Sequence, residues 1–210
     1  DEYDWLHLHH EDFTGQFGKF YAAFRTAPWY LEQQNLMETL AAELGFDAVW
    51  KLKHAVALKI RDYVDAGGFL FAMCSATDTI DLSLAYLGTD IVPREFDGTP
   101  QAADPEAGRD DARTLAFEGF SLVLNPLVYE FSTIDTSDYA RLRGPEADYF
   151  TLFAFSAKHD PVPTMLTQCH VNVINGFMGQ TTGYRKEHLK RHVVVLAEVE
   201  GRQVSLLNPA

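Results

Sequence analysis

Cys74 closes the apolar run Phe69 to Met73 and opens onto Ser75-Ala76-Thr77-Asp78, a helix-starting segment. A thiol at such a strand-to-helix turn stands exposed at the top of a sheet, where helix N-terminal amides lower its pKa. Backbone N–H groups just after it can hold an oxyanion, as in nucleophile elbows. The chemistry is attack on an amide or acyl carbon, with Ser75 and Ala76 supplying the amides. The competing reading is a small buried hydrophobe, because cysteine is among the most buried residue types.

The densest set of proton-transferring groups is His7-Leu8-His9-His10-Glu11-Asp12. On a strand, His7 and His9 share one face and His10 takes the other. His9 or His10 could act as the base beside Cys74, oriented by Glu11 or Asp12. Imidazole and carboxylate also suit zinc, but no complete metal-ligand spacing is present, so neither metal nor cofactor is expected. A core His7 beside a solvated acidic loop is the remaining alternative. The catalytic candidates are thus Cys74, His9, His10 and Glu11. Asp12, Ser75, Ala76, Thr77 and Asp78 are the candidate substrate contacts, although Asp78, like Asp81, also fits a helix-start charge.

Other groups carry less. His159-Asp160 precedes Pro161-Val162-Pro163, which sets a bend, and Cys169-His170 suits a core position at a strand end. Asn175-Gly176 and the 179–183 stretch supply turns without phosphate-loop spacing. His188 and His192 stand among Lys and Arg and read as surface residues.

Elements must bring the cysteine and the histidines together. Tyr3 to His9 reads as a strand, Phe17 to Phe24 as a short helix, and Trp29 to Leu44 as a helix ended by Gly45. Ala48 to Ala66 is the clearest helix, with Val49, Leu52, Val56, Ile60 and Tyr63 on one face. Gly67-Gly68 ends it. Phe69 to Met73 fits a parallel strand buried on both faces, and Thr77 to Leu87 a helix with Thr77 as N-cap. Consecutive parallel strands are usually neighbours with a right-handed crossover. Ligands bind beyond their carboxyl ends, which sets His9 to Asp12 and Cys74 to Thr77 on one rim. The acidic stretch Phe96 to Arg113 reads as an exposed loop. Phe120 to Leu124, Met165 to Cys169 and Val193 to Val199 read as further strands. The expected fold is α/β, a mainly parallel sheet flanked by helices, in one domain over residues 1–210.

Composition narrows the partners. The chain of 210 residues carries 30 Asp and Glu against 17 Lys and Arg, a net charge of -13. That balance opposes nucleic acid and anionic surfaces, which are bound through Lys and Arg. At 47% apolar and 13% aromatic, the chain can bury a core and is not a disordered segment. No run approaches the roughly 18 apolar residues of a membrane span. Two cysteines make no disulfide framework, which leaves the compartment open. A start at Asp1 without a leader pattern is expected of a mature product or of a piece of a longer protein.

From Ala66 through Gly67-Gly68-Phe69-Leu70-Phe71-Ala72-Met73-Cys74-Ser75-Ala76-Thr77-Asp78 to Thr79 the chain resembles the trehalose-utilisation (ThuA-like) family. The resemblance implies the class I glutamine amidotransferase-like superfamily, with a flavodoxin-like sheet and a nucleophilic cysteine at this turn. ThuA-like proteins often have His there, so Cys74 is closer to the amidotransferases. Phe96-Asp97-Gly98 and the 149–163 stretch are also similar to ThuA-like segments. Trp5 to Gly18 and Pro161 to Thr182 resemble bacterial proteins commonly labelled asparagine synthetase B. The superfamily's preceding strand–helix units and its later His-containing turn have no counterpart here.

Three functions follow as expectations. The first is a cysteine-dependent small-molecule hydrolase or amidotransferase-like enzyme, its partner a small-molecule substrate. The second is a ThuA-like sugar-binding or sugar-metabolism protein without covalent catalysis, contacting its ligand through Trp5, Phe13, Trp29 and Tyr30. The third is a non-catalytic structural or assembly subunit. A homo-oligomer is compatible with each.

Overall fold

The computed structural model describes residues 3–9, 11–16, 21–128, 131–135, 149–152, 173–175, 183–199 and 202–207. The chain divides into two compact units, Asp1–Thr133 and Ile134–Pro209.

The first unit opens with β1 (Trp5–Leu8), the single-turn α1 (Tyr21–Phe24), α2 (Pro28–Glu43) and α3 (Val49–Asp65). Pro28 takes the first turn of α2, where its missing N–H costs nothing. Both long helices end as their glycines require. Gly45 and Gly67 have φ of +83° and +92°, and each is followed by a Schellman pair. Gly45 N–H donates to Ala42 O and Phe46 N–H to Ala41 O; Gly67 N–H donates to Val64 O and Gly68 N–H to Tyr63 O. The Tyr63 ring lies so close over Gly68 that a Cβ there would collide with it.

β2 (Phe69–Ala72) then pairs with β1 in parallel, Trp5 against Phe69 through Leu8 against Ala72. The expected neighbouring strands are therefore found. The expectation of burial on both faces is not. Leu6, Leu8, Leu70 and Ala72 pack on the core with Phe13, Ala57, Ile60, Ala76, Ile80 and Leu84. On the other face Trp5, Phe69 and Phe71 are exposed, and the Trp5 ring meets both phenyl rings edge-on. The apolar run marked a strand, but it gave no information about how many layers cover it.

α4 (Ala76–Ala85) follows, buried at every position except Thr77. It starts one residue before the expected N-cap: Ser75 holds the cap position, and Thr77 lies inside the first turn, its hydroxyl donating to Cys74 O at 2.6 Å. On α3 the buried residues are Val49, Leu52, His54, Ala57 and Ile60. Val56, placed on that face by its spacing, is exposed, and Ala57 is buried against β1 and α4. The small alanine lets α3 and α4 approach. A second cluster joins α2 and α3 through Tyr30, Ala41, Val49 and Leu52 with Val92 and Phe96.

The stretch read as an exposed loop is only partly so. It contains the end of α5 (Arg94–Asp97) and 3-10 turns at Pro105–Gly108 and Asp111–Arg113. Phe96 and Pro105 are buried, and backbone bonds tie Ala102 to Asp90 and Asp110 to Ala85. Phe120 to Leu124 forms no full strand, only a bridge between Leu122 and Ser132.

The second unit holds β3 (Tyr149–Leu152), β4 (Val173–Asn175), β5 (Val194–Val199) and β6 (Arg202–Leu207). They form an antiparallel sheet in the order β4-β3-β5-β6. Val193 to Val199 contains a strand as expected, yet not a parallel one, because β5 pairs antiparallel with both β3 and β6. The described residues are therefore broadly α/β, but the parallel sheet has two strands and the larger sheet is antiparallel. Met165 to Cys169, His170, 159–163 and 176–182 lie outside the described residues.

Candidate functional site

The exits of β1 and β2 form the rim. Met73 N–H donates to Leu8 O at 3.0 Å, so pairing continues one residue past β2 to the point where the chain turns. Cys74 makes that turn with φ of +54°, the single non-glycine residue in the left-handed region among those described. An L-residue there bears roughly 1–2 kcal/mol of strain, and such strain gathers at functional turns. The thiol is exposed and in no disulfide.

The chain re-enters helix at once. Ala76 N–H donates to Met73 O and Thr77 N–H to Cys74 O, each at 3.2 Å. The Ala76 amide, one of the two expected oxyanion donors, is thus engaged by the turn itself.

Facing the elbow is the 11–16 loop. Glu11 is exposed, and its Oε2 accepts His9 N–H at 2.5 Å. Its carbonyl accepts from the Ser75 hydroxyl at 3.3 Å and stands 3.4 Å from the Thr79 hydroxyl oxygen. The Thr79 hydroxyl also accepts Phe13 N–H at 3.2 Å and donates to Ser75 O at 2.5 Å. Thr79 is fully buried and pins the loop to the first turn of α4. Sequence reasoning missed it; the available signal was a hydroxyl one turn after the elbow.

The structure therefore brings Glu11, Ser75 and Cys74 to one edge, with His9 exposed at the end of β1. The other candidates lie elsewhere. Asp12 is buried and turned into its own loop: Oδ1 accepts Thr14 N–H and its hydroxyl at 2.9 and 2.7 Å, and Oδ2 accepts Gln16 N–H at 3.0 Å. That fold of the loop brings Gly15 (φ +90°) against Trp50, so close that a Cβ would stand 2.9 Å from the Trp50 Cα. Ala76 and Asp78 are buried, and Thr77 is half-buried with its hydroxyl on Cys74 O. His10 lies outside the described residues. His7 is exposed with its ring 6.0 Å from that of His9. No group of three or more His, Cys, Asp or Glu able to hold a metal occurs among the described residues.

Of the aromatic groups expected to touch a sugar, Phe13 and Tyr30 are buried at 2% exposure. Burial pushes the Tyr30 hydroxyl up to about 12. Trp5 and Trp29 remain exposed.

Two further carboxylates do structural work on α4 and its neighbours. Asp81, 1% exposed, accepts Leu115 N–H at 2.6 Å on Oδ1 and Ala116 and Phe117 N–H at 2.8 and 2.9 Å on Oδ2. It is a staple for the 115–117 segment rather than a helix-start charge alone. Glu106 accepts the Tyr86 hydroxyl at 2.6 Å and Leu122 N–H at 2.6 Å, and burial raises the Tyr86 pKa.

Comparison with family models, with curated proteins and with solved structures finds no match to this chain. The site must be argued on its own geometry. No helix among the described residues is long and apolar enough to cross a membrane.

Proposed function

We propose that the first unit belongs to a cysteine-dependent hydrolase or amidotransferase-like enzyme acting on an amide or acyl bond of a small molecule. We also assign it to the flavodoxin-like, class I glutamine amidotransferase-like folds. The observation that carries the reading is Cys74: an exposed thiol on a left-handed residue between a parallel strand and a buried helix. A residue tolerates that backbone where the surroundings over-determine it, and here the elbow lifts a nucleophile clear of the sheet.

In this reading the Cys74 thiolate attacks the carbonyl carbon and the C–N bond of the tetrahedral intermediate breaks. His9 gives its proton to the leaving amine, and a thioester remains. Water then attacks the thioester, His9 takes its proton, the C–S bond breaks, and the Cys74 thiolate is restored with release of the acid. Glu11, accepting the His9 backbone N–H, sets the course of the chain there. Ser75 N–H, the first amide after the thiol, is the assigned oxyanion donor.

The test is the rate of iodoacetamide labelling of Cys74 in a Cys169→Ser background, beside turnover of a panel of primary amides and thioesters. The enzyme reading expects rapid labelling of the exposed thiol that blocks turnover, and turnover abolished in folded Cys74→Ala. Slow labelling, or turnover surviving the substitution, overturns it. Trp5, exposed beside Phe69 and Phe71, supports the sugar-binding reading as second choice. Quenching of Trp fluorescence by oligosaccharides, lost in Trp5→Ala, would favour that reading.

A further inference from the structure

The geometry of α2 points to a second role, independent of Cys74: we infer that this helix is a docking face for a basic amphipathic helix of a partner protein. The core claims Tyr30 and Ala41, with Met37 packed beside them. Next to that buried side lies a stripe that the core does not cover. Leu36 is 60% exposed, Leu44 57%, Trp29 46% and Leu40 39%. At 100° per residue these four positions fall within a sector of about 80° along the full length of the helix. Trp29 extends the stripe toward the start of the helix, its ring against those of Phe24 and Tyr30. An exposed apolar stripe of this kind, continuous from Leu36 to Leu44 and interrupted by the exposed Gln33 before Trp29, marks an interaction surface when polar residues rim it. Leucines at steps of four are how one helix reads another.

Charge chooses the occupant. The sequence of α2, PWYLEQQNLMETLAAE, contains three glutamates and no Lys, Arg or His. Glu32 and Glu43, both exposed, lie along one margin of the stripe; the other margin runs into the core. In an antiparallel pairing of two copies these glutamates would gather on one side, and each chain brings a net charge of -13. Anionic lipid meets the same repulsion. A helix carrying leucines on its seam and Lys or Arg beside them satisfies both the stripe and its acidic margin.

The probe is a fluorescein-labelled amphipathic Leu/Lys peptide of 18 residues, titrated with the full chain and read by anisotropy. A peptide of identical composition with its leucine stripe scrambled serves as comparison. Leu36→Gln/Leu40→Gln is expected to weaken binding about tenfold with an unchanged circular dichroism spectrum, since both side chains are at the surface. Glu32→Gln/Glu43→Gln is expected to weaken it about threefold and to flatten its salt dependence. Glu95→Gln/Glu118→Gln, removing exposed acids elsewhere, should leave it unchanged. Equal binding of the scrambled peptide, or an equal loss in the Glu95/Glu118 variant, overturns the inference in favour of bulk charge. Concentration-dependent dimerisation abolished by the leucine substitutions overturns it in favour of a second copy. Binding to phosphatidylserine vesicles through the same leucines overturns it in favour of a lipid surface.

Discussion

Lowering the pH from 7 to 5 is expected to loosen α3 from the end of α4, and His54 is the group responsible. Its ring is 5% exposed and meets Trp50 edge-on at 5.1 Å. Nδ1 accepts Gly88 N–H at 3.2 Å, so the ring proton sits on Nε2, which is buried with no hydrogen-bond partner among the described residues. Burial brings the pKa from 6.5 down to about 4. Between those values the unfolded chain takes up a proton that the folded chain refuses. Stability therefore falls as pH falls, beginning near 6.5 and complete near 4. At about 1.4 kcal/mol per unit, the loss at pH 5 is about 2 kcal/mol and its ceiling about 3 kcal/mol. Protonation also turns Nδ1 into a donor facing the Gly88 N–H, which removes the latch. Urea unfolding at pH 7, 6 and 5 of the wild type and of His54→Gln reads this out. The glutamine oxygen can accept the same N–H and does not titrate. Carboxylates titrate in both chains, so the difference is the measurement: the wild type should lose about 2 kcal/mol more than the variant between pH 7 and 5. Parallel pH profiles would refute the reasoning.

Asp81→Asn should cost about 2–3 kcal/mol, because an amide cannot accept three backbone N–H groups as the buried carboxylate does. Urea unfolding gives the magnitude, and faster hydrogen exchange at Leu115, Ala116 and Phe117 locates it. Cys74→Gly should exceed Cys74→Ala in unfolding free energy by about 0.5–1 kcal/mol, read from urea unfolding, since glycine accepts a φ of +54° without strain and its added chain entropy offsets only part of that gain.

Much of the first unit was legible in the sequence because its signals are local. Gly45 and Gly67 stop helices whatever surrounds them, and the periodicity of 49–65 needs no partner to be seen. The pairing of β1 with β2 followed from the rule that consecutive parallel strands are usually neighbours, and with it the meeting of Cys74 and Glu11 at one edge. What stayed hidden depends on neighbours. Nothing in Phe69 to Met73 says that one face lies open, because an apolar run looks the same with one covering layer or two. Asp12 and Asp81 look like loop and helix-start charges until the backbone amides they accept are known. Val56 and Ala57 exchanged places because it is Ala57 that packs in the cluster with β1 and α4. The antiparallel order of the second sheet depends on which strand turns back on which, and strand composition does not encode that.

The parallel pairing of β1 with β2 has a kinetic consequence. Partners Trp5 and Phe69, like Glu11 and Ser75, stand 64 residues apart. Local turns of α2 and α3 form in about a microsecond, whereas this pairing must first close the whole intervening segment and bear its closure entropy. The edge that joins Glu11 to Cys74 is thus a late product of folding. It is also an early casualty of partial unfolding: a fluctuation that peels β1 away would separate the thiol from its facing loop while both long helices stay wound.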